Sequence, residues 1–201
     1  CIRDSRTPLS LISAPLDTIL KSGDGNERTR RNLVVMKSNV QRLLELINQL
    51  LDFRKVESQL MRLSFTRCNA SEIVEGICIR YEEFTGLHGI RLDRSGIQPG
   101  IECVLDPEAF EKIVGNLMSN AMKFADKRIT VSMHLDREGQ ELRLEIADDG
   151  PGIKEKDIKR IFESFYQVDD HGKHPGSGLG LPLARSLARM HDGEISVESE
   201  Y

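Results

Sequence analysis

Between Arg28 and about Arg62 the apolar residues Leu33, Met36, Val40, Leu43, Ile47 and Leu50 recur at alternating spacings of three and four. That is the a/d seam of a heptad repeat, and Leu44 and Leu51 widen it. An earlier stripe, Leu9, Ile12, Leu16 and Ile19, predicts a first helix, and "KSGDGNE" (21–27) separates the two with its glycines. A hairpin of two such helices cannot bury so wide a stripe alone. Two hairpins joined as a four-helix bundle can, so the pattern predicts a homodimer.

After Leu63 the heptads stop and the pattern becomes mixed. Ser71 to Thr85 suits a helix stopped by "GLHG" (86–89), while Ile90 to Leu92 and Ile101 to Leu105 suit short strands. Asp106-Pro107 is a helix start, an N-cap followed by proline at the first helical position, for a helix reaching about Phe124. "ITVSMHL" (129–135) and "ELRLEIA" (141–147) alternate with period two around a turn containing Gly139, which predicts a hairpin with one buried face. A short helix (155–162), a Gly-rich loop (172–180), a helix (179–190) and a strand (194–199) complete the reading. The class is α+β: a helical hairpin over 1–63, then an α/β sandwich over 64–201 with its helices on one side of an antiparallel-leaning sheet.

The bulk properties exclude little but exclude it cleanly. A formal charge of -4 gives no general attraction to nucleic acid, and no apolar run is long enough to cross a bilayer. Cys1, Cys68, Cys78 and Cys103 form neither a CxxC nor a zinc-like pair, so their plain reading is idle thiols. His171 and His174 lie near Asp169 and Asp170, where a mobile polar loop explains them better than a metal site. "HDG" (191–193) reads as a helix end with Gly193 supplying the turn.

Three stretches carry chemistry. In "GNLMSNAMKFA" (115–125), Asn116 and Asn120 are four apart and share a helix face. An amide oxygen is a suitable neutral ligand for Mg²⁺, and Lys123 follows where phosphate charge would be met. The plainer alternative is an amphipathic helix with chance asparagines. In "ADDGPGI" (147–153), Asp148 ends a strand where a fixed carboxylate can accept a hydrogen bond from an amino group such as that of adenine, and the glycines let backbone approach a ligand. An ordinary turn has the same composition. "GSGLGL" (176–181) runs into a helix whose N-terminal N–H groups suit phosphate, although it is no P-loop and a flexible linker reads the same way.

The order and spacing of these stretches resemble the kinase core of sensor histidine kinases, most like hybrid two-component sensors of the Bacteroides type. "NLMSNAMKF" looks like the N box, "DDGPGI" the first glycine box, "IFESFYQ" (161–167) the F box and "GSGLGL" the second glycine box. "RTPL" (6–9) resembles the rest of an H box, and "NQLLDFRKVE" (48–57) the second dimerisation helix. The resemblance implies that Asn120 coordinates Mg²⁺ with Asn116 beside metal and phosphates. It implies that Lys123 meets phosphate, Phe124 packs beside the nucleotide and Asp148 recognises the adenine amino group. Gly150, Gly152 and Ile153 would form that wall; Gly176, Gly178, Leu179 and Gly180 would border the phosphates and hinge a lid over about 163–177. Phe162 and Phe165 would anchor the lid, though core packing explains two phenylalanines equally well. ATP and Mg²⁺ are the implied ligands. The implied partners are a second copy and a response-regulator receiver domain, with the segment cytoplasmic and the parent an inner-membrane sensor.

Two departures follow from the same alignment. On "RTP", the phosphoacceptor histidine slot is Arg3 and the adjoining acid is Asp4, while Thr7 keeps a hydroxyl four residues after the acceptor. A guanidinium has no lone pair with which to attack phosphorus, and none of the five histidines lies on the first two helices. The chain is therefore expected to hold ATP·Mg without autophosphorylating at residue 3. Gyrase-like and Hsp90-like ATPases carry a glutamate base where Asn116 stands, and an amide does not take a proton from water. Whether Lys112 or Glu111 assists transfer is open. The chain also stops one strand short of the family's sheet, which reads as a truncation. The competing readings are a nucleotide-responsive pseudokinase scaffold and, less favoured by Asn116 and the heptads, an ATPase.

Overall fold

The computed structural model describes residues 12, 16, 19, 27–58, 60–136, 138, 141–168 and 177–201. The chain divides into two compact units, Cys1–Met61 and Arg62–Tyr201.

In the first unit residues 12, 16 and 19 are helical, and Leu16 is buried. Helix α1 spans Glu27–Glu57, with Glu27 in its first turn and Arg54 and Lys55 in its last, charges that complement the helix dipole. It ends before Arg62 because Leu60 and Met61 both donate backbone N–H bonds to Lys55 O (3.0 and 3.1 Å), folding the chain back on the last turn. Of the heptad seam, Val40 is buried, whereas Met36 and Leu43 remain 54% and 47% exposed. One chain does not cover its own seam.

The second unit contains β1 (Thr66–Asn69), α2 (Ala70–Leu87), β2 (Arg91–Ile97), β3 (Glu102–Leu105), α3 (Pro107–Phe124), β4 (Arg128–Leu135), β5 (Leu142–Asp148), α4 (Glu155–Ile158) and α5 (Gly180–Met190). β1 pairs antiparallel with β3, and a three-stranded sheet runs β2-β4-β5. The β4–β5 hairpin is antiparallel, but β2 and β4 are parallel. β2 changes register between Asp93 and Gly96, where a Cβ on residue 96 would stand 2.7 Å from Ser132 Cβ. Ile129, Val131 and Met133 of β4 point into a core shared with Val74, Ile77 and Cys78 of α2 and Val114, Met118 and Ala121 of α3.

Asp106 ties three segments together. Its Oδ1 accepts the Ala109 N–H (2.9 Å) as N-cap of α3, and its Oδ2 accepts the Ser64 N–H (2.6 Å). Its own N–H donates to His191 Nε2 (3.1 Å), while His191 Nδ1 donates to Leu187 O (2.8 Å). These two bonds fix one neutral tautomer and fasten the end of α5 to the start of α3. Burial opposes ionisation of Asp106, but the N–H donors of Ala109, Ser64 and Glu108 outweigh it and lower its pKa.

Three expectations need correction. The segment 194–199 is not a strand: Ile195, Val197 and Ser199 are half-buried and alternate with exposed neighbours, but no ladder pairs them. A period of two reports an extended chain with one inward face; it does not supply a partner. At the end of α5 the left-handed residue is Asp192 (φ 56°), not Gly193. Gly193 N–H instead closes the helix on Ala188 O (2.9 Å) and Asp192 N–H on Arg189 O (3.1 Å), a Schellman arrangement. The helix expected over 155–162 is α4 alone, followed by turns.

Candidate functional site

The site is built around α3. Ala109, Phe110, Ile113, Val114, Met118 and Ala121 bury one face of the helix, which leaves Asn116, Asn120 and Lys123 half-buried on another. Asn116 Nδ2 donates to Lys112 O (2.7 Å), so its Oδ1 faces away from its own helix. A Cβ on Gly180 would stand 2.8 Å from that Oδ1, so the first residue of α5 abuts the asparagine. At the other end of α3, a Cβ on Gly150 would lie 2.5 Å from Phe124 O and 2.6 Å from Asp148 Oδ1. Lys123 Nζ lies over the Phe124 ring, 4.5 Å from its centroid. Glu111 is engaged elsewhere, paired with Arg80 at 3.5 Å.

Asp148 ends β5 and accepts the Gly150 N–H at Oδ1 (2.9 Å). Crowding of its carboxyl by surrounding protein raises its pKa, the Asp149 charge adds to this, and the Gly150 N–H opposes it. Asp149, which sequence reasoning passed over, organises the neighbourhood. Its Oδ1 accepts three consecutive backbone N–H groups, from Asp126 (3.0 Å), Lys127 (2.9 Å) and Arg128 (2.9 Å). Those donors hold its pKa down and clamp the α3–β4 turn against the glycine turn. The second acid in "DDG" was the available signal, since aspartate readily accepts from turn backbone.

Gly152 has φ +74°, and a Cβ there would collide with Glu200 O. Ile153 N–H donates to Ser199 Oγ (2.9 Å) beside it. At the second glycine stretch, Gly178 has φ +67° and a Cβ would stand 2.6 Å from the Phe165 carbonyl carbon. Phe165 is also left-handed (φ 66°), and its N–H donates to Gly178 O at 2.8 Å. Its side chain is 62% exposed, so Phe165 anchors this junction through backbone and not through packing. Phe162 differs: the Arg185 guanidinium lies 4.6 Å from its ring centroid. Tyr166 Oη donates to buried Asp157 Oδ1 (2.7 Å), another tie the sequence did not disclose.

Leu179 is buried in the core, so only its backbone borders the loop. No side chain caps α5, its first turn holds no acid, and Pro182 in that turn has no N–H. The helix N-terminus is thus electropositive where it meets Asn116. Arg3, Asp4, Thr7, Gly176, His171 and His174 lie outside the described residues. Among the described residues no group of three or more His, Cys, Asp and Glu forms a metal cluster, and no helix is long and apolar enough to cross a membrane.

Residues 105–201 match the family described as histidine kinase-, DNA gyrase B-, and HSP90-like ATPase. Residues 3–59 match the His Kinase A (phospho-acceptor) domain. This chain belongs to the histidine kinase family. Among curated relatives of this kinase core, the sensor histidine kinase TmoS of Ectopseudomonas mendocina is 35% identical over 96% of the chain and 20% of TmoS. The sensor histidine kinase RcsC of Escherichia coli K12 is 32% identical over 97% of the chain and 21% of RcsC. The kinase core therefore spans about a fifth of the relatives it matches. Its fold is similar to that of full-length ShkA in complex with AMPPNP (TM-score 0.77, 23% identity, 98% of this chain and 42% of ShkA). It is also similar to the Acinetobacter baumannii histidine kinase AdeS (TM-score 0.60, 22% identity, 92% and 85%). The order is that of the family: phospho-acceptor helices, then an α/β sandwich.

Proposed function

We propose that this kinase core binds ATP with Mg²⁺ along the polar face of α3 and delivers the γ-phosphoryl group to a histidine it does not carry at residue 3. The observation that carries the reading is the convergence on one helix. Asn116 abuts Gly180, Phe124 abuts Gly150, and Gly178 abuts Phe165, so four separate stretches border one region.

The residues present fit such a ligand. The lack of a Cβ at Gly150 and Gly180 lets the two glycine turns close onto Phe124 O and Asn116 Oδ1, and the α5 N-terminus offers backbone N–H groups to phosphate. In this reading Asn120 ligates the metal with Asn116 next to it. Lys123 meets phosphate, Phe124 covers the base, and Asp148 accepts from the adenine amino group within the wall of Gly150, Gly152 and Ile153. Gly176, Gly178, Leu179 and Gly180 border the phosphates. Bound ATP·Mg²⁺ supplies the activated phosphoryl group. The chain's contribution is to hold and orient it without a base for water, because the amide of Asn116 accepts no proton at neutral pH.

Residues 1–63 then serve as the dimerisation and phosphoacceptor hairpin and 64–201 as the ATP-binding domain. The half-exposed Met36 and Leu43 favour closure of the hairpin by a second copy. Arg3 stays protonated and offers no lone pair, so Asp4 and Thr7 flank a slot without a nucleophile. The onward acceptor is a receiver-domain aspartate of a response regulator, and the parent is a membrane sensor with this segment on the cytoplasmic side. Arg3 also favours a second reading, a nucleotide-responsive scaffold.

Incubation with γ-labelled ATP tests both. The chain as it stands incorporates no acid-labile phosphate, and Arg3→His gains it. Phosphohistidine on the unaltered chain would refute the argument from Arg3. Binding of ATP without any gain in the Arg3→His variant assigns the scaffold role, and steady hydrolysis without phosphoprotein assigns an ATPase.

A further inference from the structure

The cysteines are scattered in sequence, but the fold brings two of them together. β1 and β3 pair antiparallel with Cys68 directly opposite Cys103. Opposed residues of antiparallel strands place their side chains on the same face of the sheet. The pair's place in the ladder is also defined. Ala70 N–H donates to Ile101 O (2.9 Å), and alternation along the ladder makes Cys68 and Cys103 a hydrogen-bonded pair. Such pairs have Cα atoms about 5.5 Å apart, inside the range of about 4.4–6.8 Å that a disulfide spans. Both thiols are free, and both residues are half-buried against the edge of the core, so reagents in solution reach them. Cys78, fully buried in α2, is not opposite either.

We propose that Cys68 and Cys103 form a cross-strand dithiol that low-molecular-weight disulfides such as oxidised glutathione convert to an intrachain disulfide. The step balances by two exchanges. The thiolate of one cysteine attacks a glutathione sulfur and forms a mixed disulfide, releasing one glutathione thiolate. The second cysteine then attacks the protein sulfur of that mixed disulfide, forming the Cys68–Cys103 bond and releasing a second glutathione. The protein loses two protons and two electrons, and the oxidant becomes two thiols. Burial raises the Cys68 pKa, with Glu102 adding to it. Burial also raises that of Cys103, and the charge of Cys68 adds to it. The bond would close the chain from residue 68 to residue 103, three residues before the Asp106 cap of α3. The inference does not depend on the nucleotide site.

The reduced chain is incubated with oxidised glutathione in mildly alkaline buffer without denaturant, then read by intact mass, thiol titration and peptide mapping. The expected result is the loss of two hydrogens and two titratable thiols, with the peptides of Cys68 and Cys103 joined. In Cys103→Ser, Cys68 should stop at a single glutathione adduct. Stable glutathione adducts on both cysteines without a bond between them overturn the proposal. So does a disulfide that joins either one to Cys1, Cys78 or another molecule. The unaltered chain alone decides the matter if a variant does not fold.

Discussion

Asn116 Oδ1 sits so close to residue 180 that a Cβ there would stand at 2.8 Å, and any larger residue must displace the asparagine amide. The side chain of α3 and the first backbone unit of α5 therefore share one small volume.

Gly180→Ala should weaken ATP binding more than it weakens the fold. Overpacking costs about 1–3 kcal/mol, and where that cost falls on the bound state it corresponds to about a five- to 140-fold loss of affinity. Calorimetric titration measures it, with thermal unfolding as the control. Unchanged affinity would separate the α3–α5 junction from the nucleotide site.

Asp148 should make ATP affinity depend on pH. Its pKa is raised by crowding of the carboxyl and by Asp149, so its charge is lost earlier on acidification than that of an ordinary aspartate. Affinity should fall as pH drops through that raised value, because the neutral acid is a poorer acceptor for an amino group. Asp148→Asn should bind weakly and with a flat profile over the same range. Equal profiles for the two proteins would remove Asp148 from base recognition.

Asp106→Ala should destabilise the second unit by about 1–2 kcal/mol, the usual worth of an N-cap. The folded-state pKa is depressed, so the charged form adds stability that is complete above about pH 4 and is lost as pH falls through the folded value. Urea unfolding should therefore show a larger gap between the two proteins at pH 7 than near pH 3. A gap that widens on acidification would contradict the assignment.

Met36→Lys combined with Leu43→Lys should convert a dimer into a monomer. Both residues occupy seam positions that one chain leaves about half exposed. Sedimentation equilibrium distinguishes the two states, and a dimer that survives both lysines places the interface elsewhere.

The parts of this structure legible in sequence are those decided by near neighbours. Asp106-Pro107 started α3 where local capping chemistry required, and the period-two runs became β4 and β5. What escaped depends on pairing across the chain. β2 lies parallel to β4, an arrangement no local pattern encodes, and the four-residue β1 is too short to show a period. Asp149 looked like one more turn residue until three N–H groups from the α3–β4 turn arrived at its carboxylate. Cys68 and Cys103 looked idle because their spacing is wide, yet register makes them opposite. Phe165 was legible as an aromatic and not as a left-handed residue, since its conformation is set by Gly178.

That last pair also bears on how chains of this kind can diverge. Phe165 and Gly178 are joined by main-chain atoms, N–H to O at 2.8 Å, so the knot is indifferent to the side chains strung between them. Changes of sequence and of length over residues 167–175 leave that main-chain bond available. Closure entropy also grows only slowly with length. Relatives are free to carry very different sequences between the two residues.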